Sequence, residues 1–335
     1  MSRSFITLAA LSMAVATPFI SLQAQAVQRT HVSAAFGSDA NTATNCAAAA
    51  PCRFFAAAMT VTNPNGEVIV LDSGGYGAVT ITQSVALIAP TGVYAGISVF
   101  PGADGVTIAT AGVNVVLRGL SINGQGGNNG INMTAGNRLT VENCVISNLS
   151  QSGILVNAAA TVRVTDSIVR DNAGFGITLQ NGVKATITRA LVSGNVSFGL
   201  LLYGNTPSTS TLDIADSTVD GNGYGIFAFS KASTAILKLS VRDSRIVSNS
   251  SVGLAAQSDA GAATSLYASN NMVSNNATGL AAQGAGAKVI SSGNTVTGNT
   301  GNGFYNSGAV FESAGNNTVR DNVGNVGTIT VIATQ

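Results

Sequence analysis

Short runs in which apolar and polar residues alternate recur along this chain in sets of three. Val162 and Val164, then Ile168 and Val169, then Ile177 and Leu179 make one set, with Asn and Gly between the runs. Alternation with a period of two, broken by Asn and Gly, predicts strands. The sets themselves repeat: TDSIVRDNAGFGI begins at Thr165, ADSTVDGNGYGI at Ala215, RDSRIVSNSSVGL at Arg242 and NNMVSNNATGL at Asn270. A Gly followed by an apolar residue falls at Gly130, Gly153, Gly176, Gly199, Gly225, Gly253, Gly279 and Gly303, in steps of 23, 23, 23, 26, 28, 26 and 24. So regular a period predicts stacked repeats and not one closed core. Three strands in one short repeat leave no room for an antiparallel partner inside the copy. Each pairs with its counterpart one period away, at roughly 4.8 Å, as a triangular coil of a parallel β-helix.

Two polar columns fit this winding. Asn172, Asn195, Asn222, Asn249, Asn276, Asn299 and Asn322 share one repeat position. Asn tolerates the left-handed backbone of a sharp corner, and stacked amides can bond along the axis. The second column, Cys144, Ser167, Ala190, Ser217, Ser244, Asn271, Asn294 and Asn317, is small and is expected to point inward. Where the period lengthens, the extra residues lie in GNTPSTST, SKASTAI and SDAGAAT, at one corner of successive coils. They predict a wall of loops along the solenoid.

Ahead of the repeat the grammar changes. Residues 1–26 combine Arg3, an apolar run from Phe5 to Ile20 and Ala24-Gln25-Ala26, the pattern of a secretory signal cleaved before Val27. Residues 27–64 are expected to form a lead-in and cap, and residues 65–335 the β-helix. In the lead-in, irregular to residue 45, Val32 and Phe36 should touch the first coil. Pro51 then opens CRFFAAAMTVTN, whose Phe54, Phe55, Ala58, Met59 and Val61 have helical spacing. A short helix over 46–63 would cover the open end of the solenoid, and strands would begin at Glu67. Cys46 and Cys52, six apart in an exported chain, predict a local disulfide, and Cys144 a buried thiol.

On the repeat, and on the segments Cys52-Arg53-Phe54-Phe55 and Gly74-Gly75-Tyr76-Gly77, the chain resembles right-handed parallel β-helix proteins of the pectate-lyase-like class, among them uncharacterised secreted bacterial members. The resemblance covers about residues 65–330. It implies an all-β solenoid of about 23–27 residues per coil with a short N-terminal capping helix. It implies no single activity, because the class includes lyases, hydrolases, esterases, epimerases and adhesins. The Asn-Thr-Asp, Asp-Asp, Gly-His-Gly and Arg-x-Lys motifs that galacturonase-like hydrolases share do not occur here. The only His is His31, outside the coils, and no acid-dense loop has calcium spacing. No catalytic residue is therefore carried over from the class, and neither a metal nor a cofactor is expected.

Composition narrows the partners. Charged residues are 9% of the chain, the net charge is +1, and removal of Arg3 with the signal leaves a formally neutral protein. A nucleic-acid binder would need a basic face, so that class is excluded. No stretch after the signal is apolar enough to span a membrane. The protein is expected to be secreted or periplasmic, bacterial, and monomeric.

Two constellations carry candidate chemistry. Asp166, Arg189, Asp216 and Asp243 share a column, which puts Asp216 and Asp243 on adjacent coils about 5 Å apart. They read either as a carboxylate pair for acid–base work on a glycosidic bond, with Arg189 beside it, or as a surface charge ladder. Outward alternation also predicts a strip of Leu201, Tyr203, Phe227 and Phe229, next to Phe175, Phe198 and Tyr224. It reads as a platform for sugar rings or a partner, or as packing under the inserted loops. The leading expectation is an exported β-helix that binds polysaccharide or a cell-surface glycan without catalysis. A polysaccharide lyase or glycoside hydrolase with a non-standard site, and a structural envelope protein, are the alternatives.

Overall fold

A computed structural model describes residues 27–259 and 261–333, so the expected signal segment lies outside the described residues. Three parallel sheets run the length of the molecule: sheet A with 13 strands, and sheets B and C with 11 each. One coil passes through Phe175–Gln180 in sheet C, Lys184–Thr188 in sheet A and Leu191–Ser193 in sheet B. The register is the sequence period itself: Ile177 pairs with Leu200 and Leu200 with Ile226, as Val169 pairs with Val192 and Val192 with Val219. Each strand's inward apolar residues stack on those of its neighbours, and Val162, Val164, Val169, Ile177 and Leu179 belong to one continuous buried core.

From Asn172 to Asn299 the asparagine column is buried between sheets B and C, and with the half-buried Asn322 it forms a continuous amide ladder. Nδ2 donates to Oδ1 of the next coil from Asn172 to Asn195 (2.8 Å), Asn195 to Asn222 (2.8 Å), Asn222 to Asn249 (3.0 Å), Asn249 to Asn276 (2.9 Å), Asn276 to Asn299 (3.1 Å) and Asn299 to Asn322 (2.8 Å). Its members are not the left-handed residues of the corner. That conformation falls one position earlier, at Asp171, Gly194, Gly221, Ser248, Asn275, Gly298 and Asp321, with φ between 55° and 64°. The left-handed residue makes the bend, and the Asn after it is thereby turned inward to satisfy the backbone groups the bend strands. From Cys144 to Asn294 the small column is buried as expected, and Asn317 is half-buried. There, Ser217 and Ser244 Oγ and the Asn271 and Asn294 side-chain oxygens each accept the backbone N–H of the coil before.

The longer coils do not loop out into a wall. Their extra residues extend the strands to seven residues, as in Phe198–Gly204, Thr209–Ala215, Tyr224–Ser230 and Ile236–Arg242. Ser210, Ser230 and Ser258 are buried in the widened corner, where Thr264 Oγ1 meets Ser230 Oγ at 2.7 Å. Pairing in the ladder satisfies backbone groups that a projecting loop would leave to water.

The lead-in is more regular than its composition suggests. Val27–Val32 is a strand paired in parallel with Thr62–Val70, so it forms the first strand of sheet A. The helix is confined to Phe55–Met59, and strand structure resumes at Thr62, ahead of the expected Glu67. Pro64 disfavours helix at the residue before it, and Val61 accepts the Val27 N–H at 3.1 Å, so the end of the helical pattern is drawn into the sheet. Gly74–Gly75 pairs with Ala95 and Gly96 as the first strand of sheet B. Val32 is buried, but Phe36 is 83% exposed and does not pack on the first coil. Cys46 and Cys52 are joined by a disulfide and fully buried.

Asp72 ties this lead-in to the first coil. Its carboxylate accepts from Ser33 Oγ (2.6 Å), the backbone N–H groups of Ala34 (2.6 Å) and Ala35 (3.1 Å), and the Tyr76 hydroxyl. Burial by itself would raise the Asp72 pKa, but Ser33, Tyr76, Ala34 and Ala35 together override it and hold the group down at about 2. The folded value lies below the unfolded one, so this stabilisation is complete above the ordinary value of 3.8 and is lost as pH falls through about 2.

Between about pH 4 and pH 2 the melting temperature should fall with a slope that Asp72→Asn flattens. At neutral pH the same substitution should cost about 1–3 kcal/mol, the scale of hydrogen bonds to a charged group. Asn222→Ala removes the partner of the Asn195 amide and of the Val192 carbonyl in mid-ladder. It should destabilise the protein by about 2–4 kcal/mol and raise amide exchange first in the coils on either side, read by hydrogen–deuterium exchange.

Candidate functional site

The two constellations lie on different parts of the solenoid. Asp166, Arg189, Asp216 and Asp243 occupy the corner between sheets A and B, together with Asn143 and Asn270, and all six have φ between 50° and 54°. A two-residue corner needs a left-handed residue, and Asp and Asn accept that conformation more readily than most. The acidic column therefore has a backbone cause. Its side chains are exposed. Arg189 grips Asp166 with two bonds, Nε to Oδ1 at 2.6 Å and Nη2 to Oδ2 at 2.8 Å. That hydrogen-bonded guanidinium lowers the Asp166 pKa below the usual carboxylate value. Asp243 pairs with its neighbour Arg242 at 3.2 Å, and Asp216 stands between the two pairs.

The aromatic constellation lies on sheet C, the side of the triangle opposite that corner. Phe175, Phe198 and Tyr224 begin consecutive strands, just after the asparagine corner, and stack along the axis: Phe175 on Phe198 at 5.6 Å and Phe198 on Tyr224 at 4.6 Å between ring centres. Phe227 meets both Phe198 and Tyr224 edge-on at 5.5 Å. Tyr203 lies 5.7 Å from Phe229 towards the other end of the same strands. With Leu201, Ala255 and Ala281 these rings make a second apolar cluster, separate from the core inside the coils. Leu201 and Phe227 form its nearly buried floor, at 8% and 6% exposure, while Tyr203 and Phe229 are half-buried at its rim.

A cleft of about 410 Å³ opens in this cluster, lined by Phe175, Thr178, Gln180, Phe198, Leu201, Tyr203 and Phe229. Thr178 and Gln180 were not among the residues singled out from the sequence. They occupy the repeat positions of Leu201 and Tyr203 one coil earlier, so aligning the coils would have found them. Thr178 is 7% exposed, and its hydroxyl oxygen is buried without a hydrogen-bond partner.

Other chemistry-bearing residues lie elsewhere. His31 is in the first strand of sheet A, and its Nδ1 is buried and unpartnered. The Cys144 thiol is buried in the small column, and burial pushes its pKa up to about 11. Among the described residues no group of three or more His, Cys, Asp or Glu is placed to hold a metal ion. Nor, among them, is any helix long and apolar enough to cross a membrane.

Comparisons with known proteins agree with this architecture. The family described as a right handed beta helix region matches residues 57–212. Pectate lyase Pel9A superposes with a TM-score of 0.66 at 15% identity, over 91% of this chain and 79% of that one. Polygalacturonase from Erwinia carotovora ssp. carotovora gives 0.60 at 12% identity, over 97% and 100%. The A-module of mannuronan C-5 epimerase AlgE4 from Azotobacter vinelandii gives 0.55 at 15% identity, over 91% and 100%. No curated protein sequence matches the chain. The fold is a right-handed parallel β-helix of the pectate-lyase-like class, and likeness at these identities extends to fold alone.

With Cys46 and Cys52 joined, Cys144 is the only free thiol. It should resist iodoacetamide at pH 8 in the folded protein and be alkylated within minutes in guanidinium, as mass spectrometry would show.

Proposed function

We propose that this β-helix is an exported glycan-binding protein that works through the outward face of sheet C without catalysis. The observation that carries the reading is the second apolar cluster, a group of rings held outside the core and opening into a cleft. The faces of sugar rings present C–H groups that pack on aromatic side chains, and a concave apolar site with few polar groups is the usual form of a small-ligand site. Tyr203, Phe229 and Leu201 are the proposed contacts, with Phe227 as the support beneath them.

Export rests on the signal pattern of residues 1–26 and on the buried Cys46–Cys52 bridge, which suits an oxidising, extracytoplasmic setting. In this reading Val27 begins the mature chain, residues 27–64 cap the solenoid, residues 65–335 form it, and the protein acts as a monomer. Pectate lyase and polygalacturonase share the fold, and this supports a polysaccharide as partner.

A catalytic pair at Asp216 and Asp243 would act on the exposed corner between sheets A and B, away from the cleft. Binding and cleavage can therefore be tested separately. In affinity electrophoresis against a polysaccharide panel, Tyr203→Ala with Phe229→Ala should weaken retention on the bound glycan by roughly 5- to 150-fold, from two aromatic contacts of about 0.5–1.5 kcal/mol each. Neither reducing ends nor unsaturated products should accumulate, with or without calcium. Retention unchanged in the double variant would remove the cleft from the reading. Product release abolished by Asp216→Ala with Asp243→Ala would replace it with an enzyme.

A further inference from the structure

We propose that the ligand of sheet C is an uncharged glycan chain lying along the solenoid axis, from the aromatic cleft towards Asn132, with Thr178 as the polar group that selects it. This deepens the glycan-binding reading and rests on it.

Charge is partitioned among the three sheets. None of the 11 strands of sheet C contains Asp, Glu, Lys, Arg or His. The strands of sheet A carry Arg163, Lys184, Asp213 and Lys238, and those of sheet B carry Arg170 and Arg245. A chain of uronic acids is best held by cationic side chains along its path. The strands of this face supply none, and the charged group that reaches it is the Asp104 carboxylate. Asp104 Oδ1 accepts from Asn129 N (3.0 Å) and Nδ2 (2.8 Å), and Oδ2 from Asn132 Nδ2 (2.7 Å). Lys231 and Asp259 stand beyond the strand ends, at the corner with sheet A.

The same face holds two polar atoms that want a partner. Thr178 Oγ1 and Asn132 Oδ1 are both buried and unbonded. Both belong to one outward column, which runs Thr107, Asn132, Leu155, Thr178, Leu201 along the axis. They are two coils apart, roughly 10 Å, with Leu155 between them. An unpaired buried hydroxyl or amide oxygen costs about 1–3 kcal/mol, which a ligand recovers if it supplies the partner. In this proposal Thr178 Oγ1, buried in the unliganded protein, reaches the ligand by rotation about χ1 of a residue that lines the cleft. Polar points separated by an apolar one suit a neutral polymer whose hydroxyls alternate with C–H faces.

The test uses the full mature chain and isothermal titration with two probe sets. Cello-, xylo- and manno-oligosaccharides of increasing length are the neutral set, and oligogalacturonate and oligomannuronate the acidic one. A neutral series should bind and the acidic series should not. Thr178→Val should lose about tenfold in affinity, whereas Thr178→Ser should keep most of it. Asn132→Ala should weaken only oligomers long enough to span both positions. Thr178→Val removes an unpaired buried hydroxyl, so its melting temperature should equal or exceed that of the parent, which controls for misfolding. Acidic oligomers that bind and depend on Tyr203 and Phe229 would overturn this inference and leave the glycan-binding reading standing, as would neutral binding indifferent to Thr178→Val. Failure of both series to bind would bring down both.

Discussion

The buried asparagine ladder is the contact on which the arrangement of the coils depends. From Asn172 to Asn299 each amide gives its Nδ2 to the coil ahead, and from Asn195 to Asn322 each Oδ1 takes both the side-chain and the backbone N–H of the coil behind, as Asn249 does for Asn222. The geometry admits one repeat distance, because these bonds and the ladder bonds of the parallel strands must close together. Glycine completes it. A Cβ at Gly199 would lie 2.8 Å from the Gly225 carbonyl oxygen and 2.9 Å from Asn222 Nδ2, so this position must stay bare for the amide to reach its place. Polar groups stacked inside an apolar core are costly unless all are satisfied, and a repeating column satisfies them with one rule.

The candidate site inherits that constraint. Phe175, Phe198 and Tyr224 follow their asparagines by two or three residues, so a corner pinned in register presents its rings in register. Phe227 then fills the angle between ring column and strand surface, which is why an outward-facing residue is 6% exposed. Rigid support is what a binding face requires, since less side-chain entropy is lost when the ligand arrives.

The corner between sheets A and B shows the opposite case. Its acids recur because a left-handed backbone recurs, and the ion pairs there, Arg189 with Asp166 and Arg242 with Asp243, are exposed on both sides. Pairs of that kind contribute little to stability. A column of like residues in a solenoid thus has two separate origins, backbone geometry or side-chain function, and only what surrounds the side chains tells them apart.

The period, the three strands per coil, the inward apolar and small columns and the stacking of the asparagines were legible in the sequence. Each follows from local alternation or from a spacing that repeats, and a spacing needs no knowledge of contacts. The outward placement of Leu201, Tyr203, Phe227 and Phe229 was legible for the same reason. The sequence misassigned the left-handed residue by one position, drew the helix past Met59 into what is strand, turned strand extensions into loops and packed Phe36 where it stands in solvent. Those choices were decided by partners far away in the chain, such as Thr62–Val70 for Val27–Val32. Which side of the triangle is built from strands without charged residues, which cleft holds a hydroxyl with nothing to bond, and that Asp216 and Asp243 lie across the solenoid from the rings were decided only by the closed winding. Burial and separation are properties of three strands folded around one axis, and no single strand contains them.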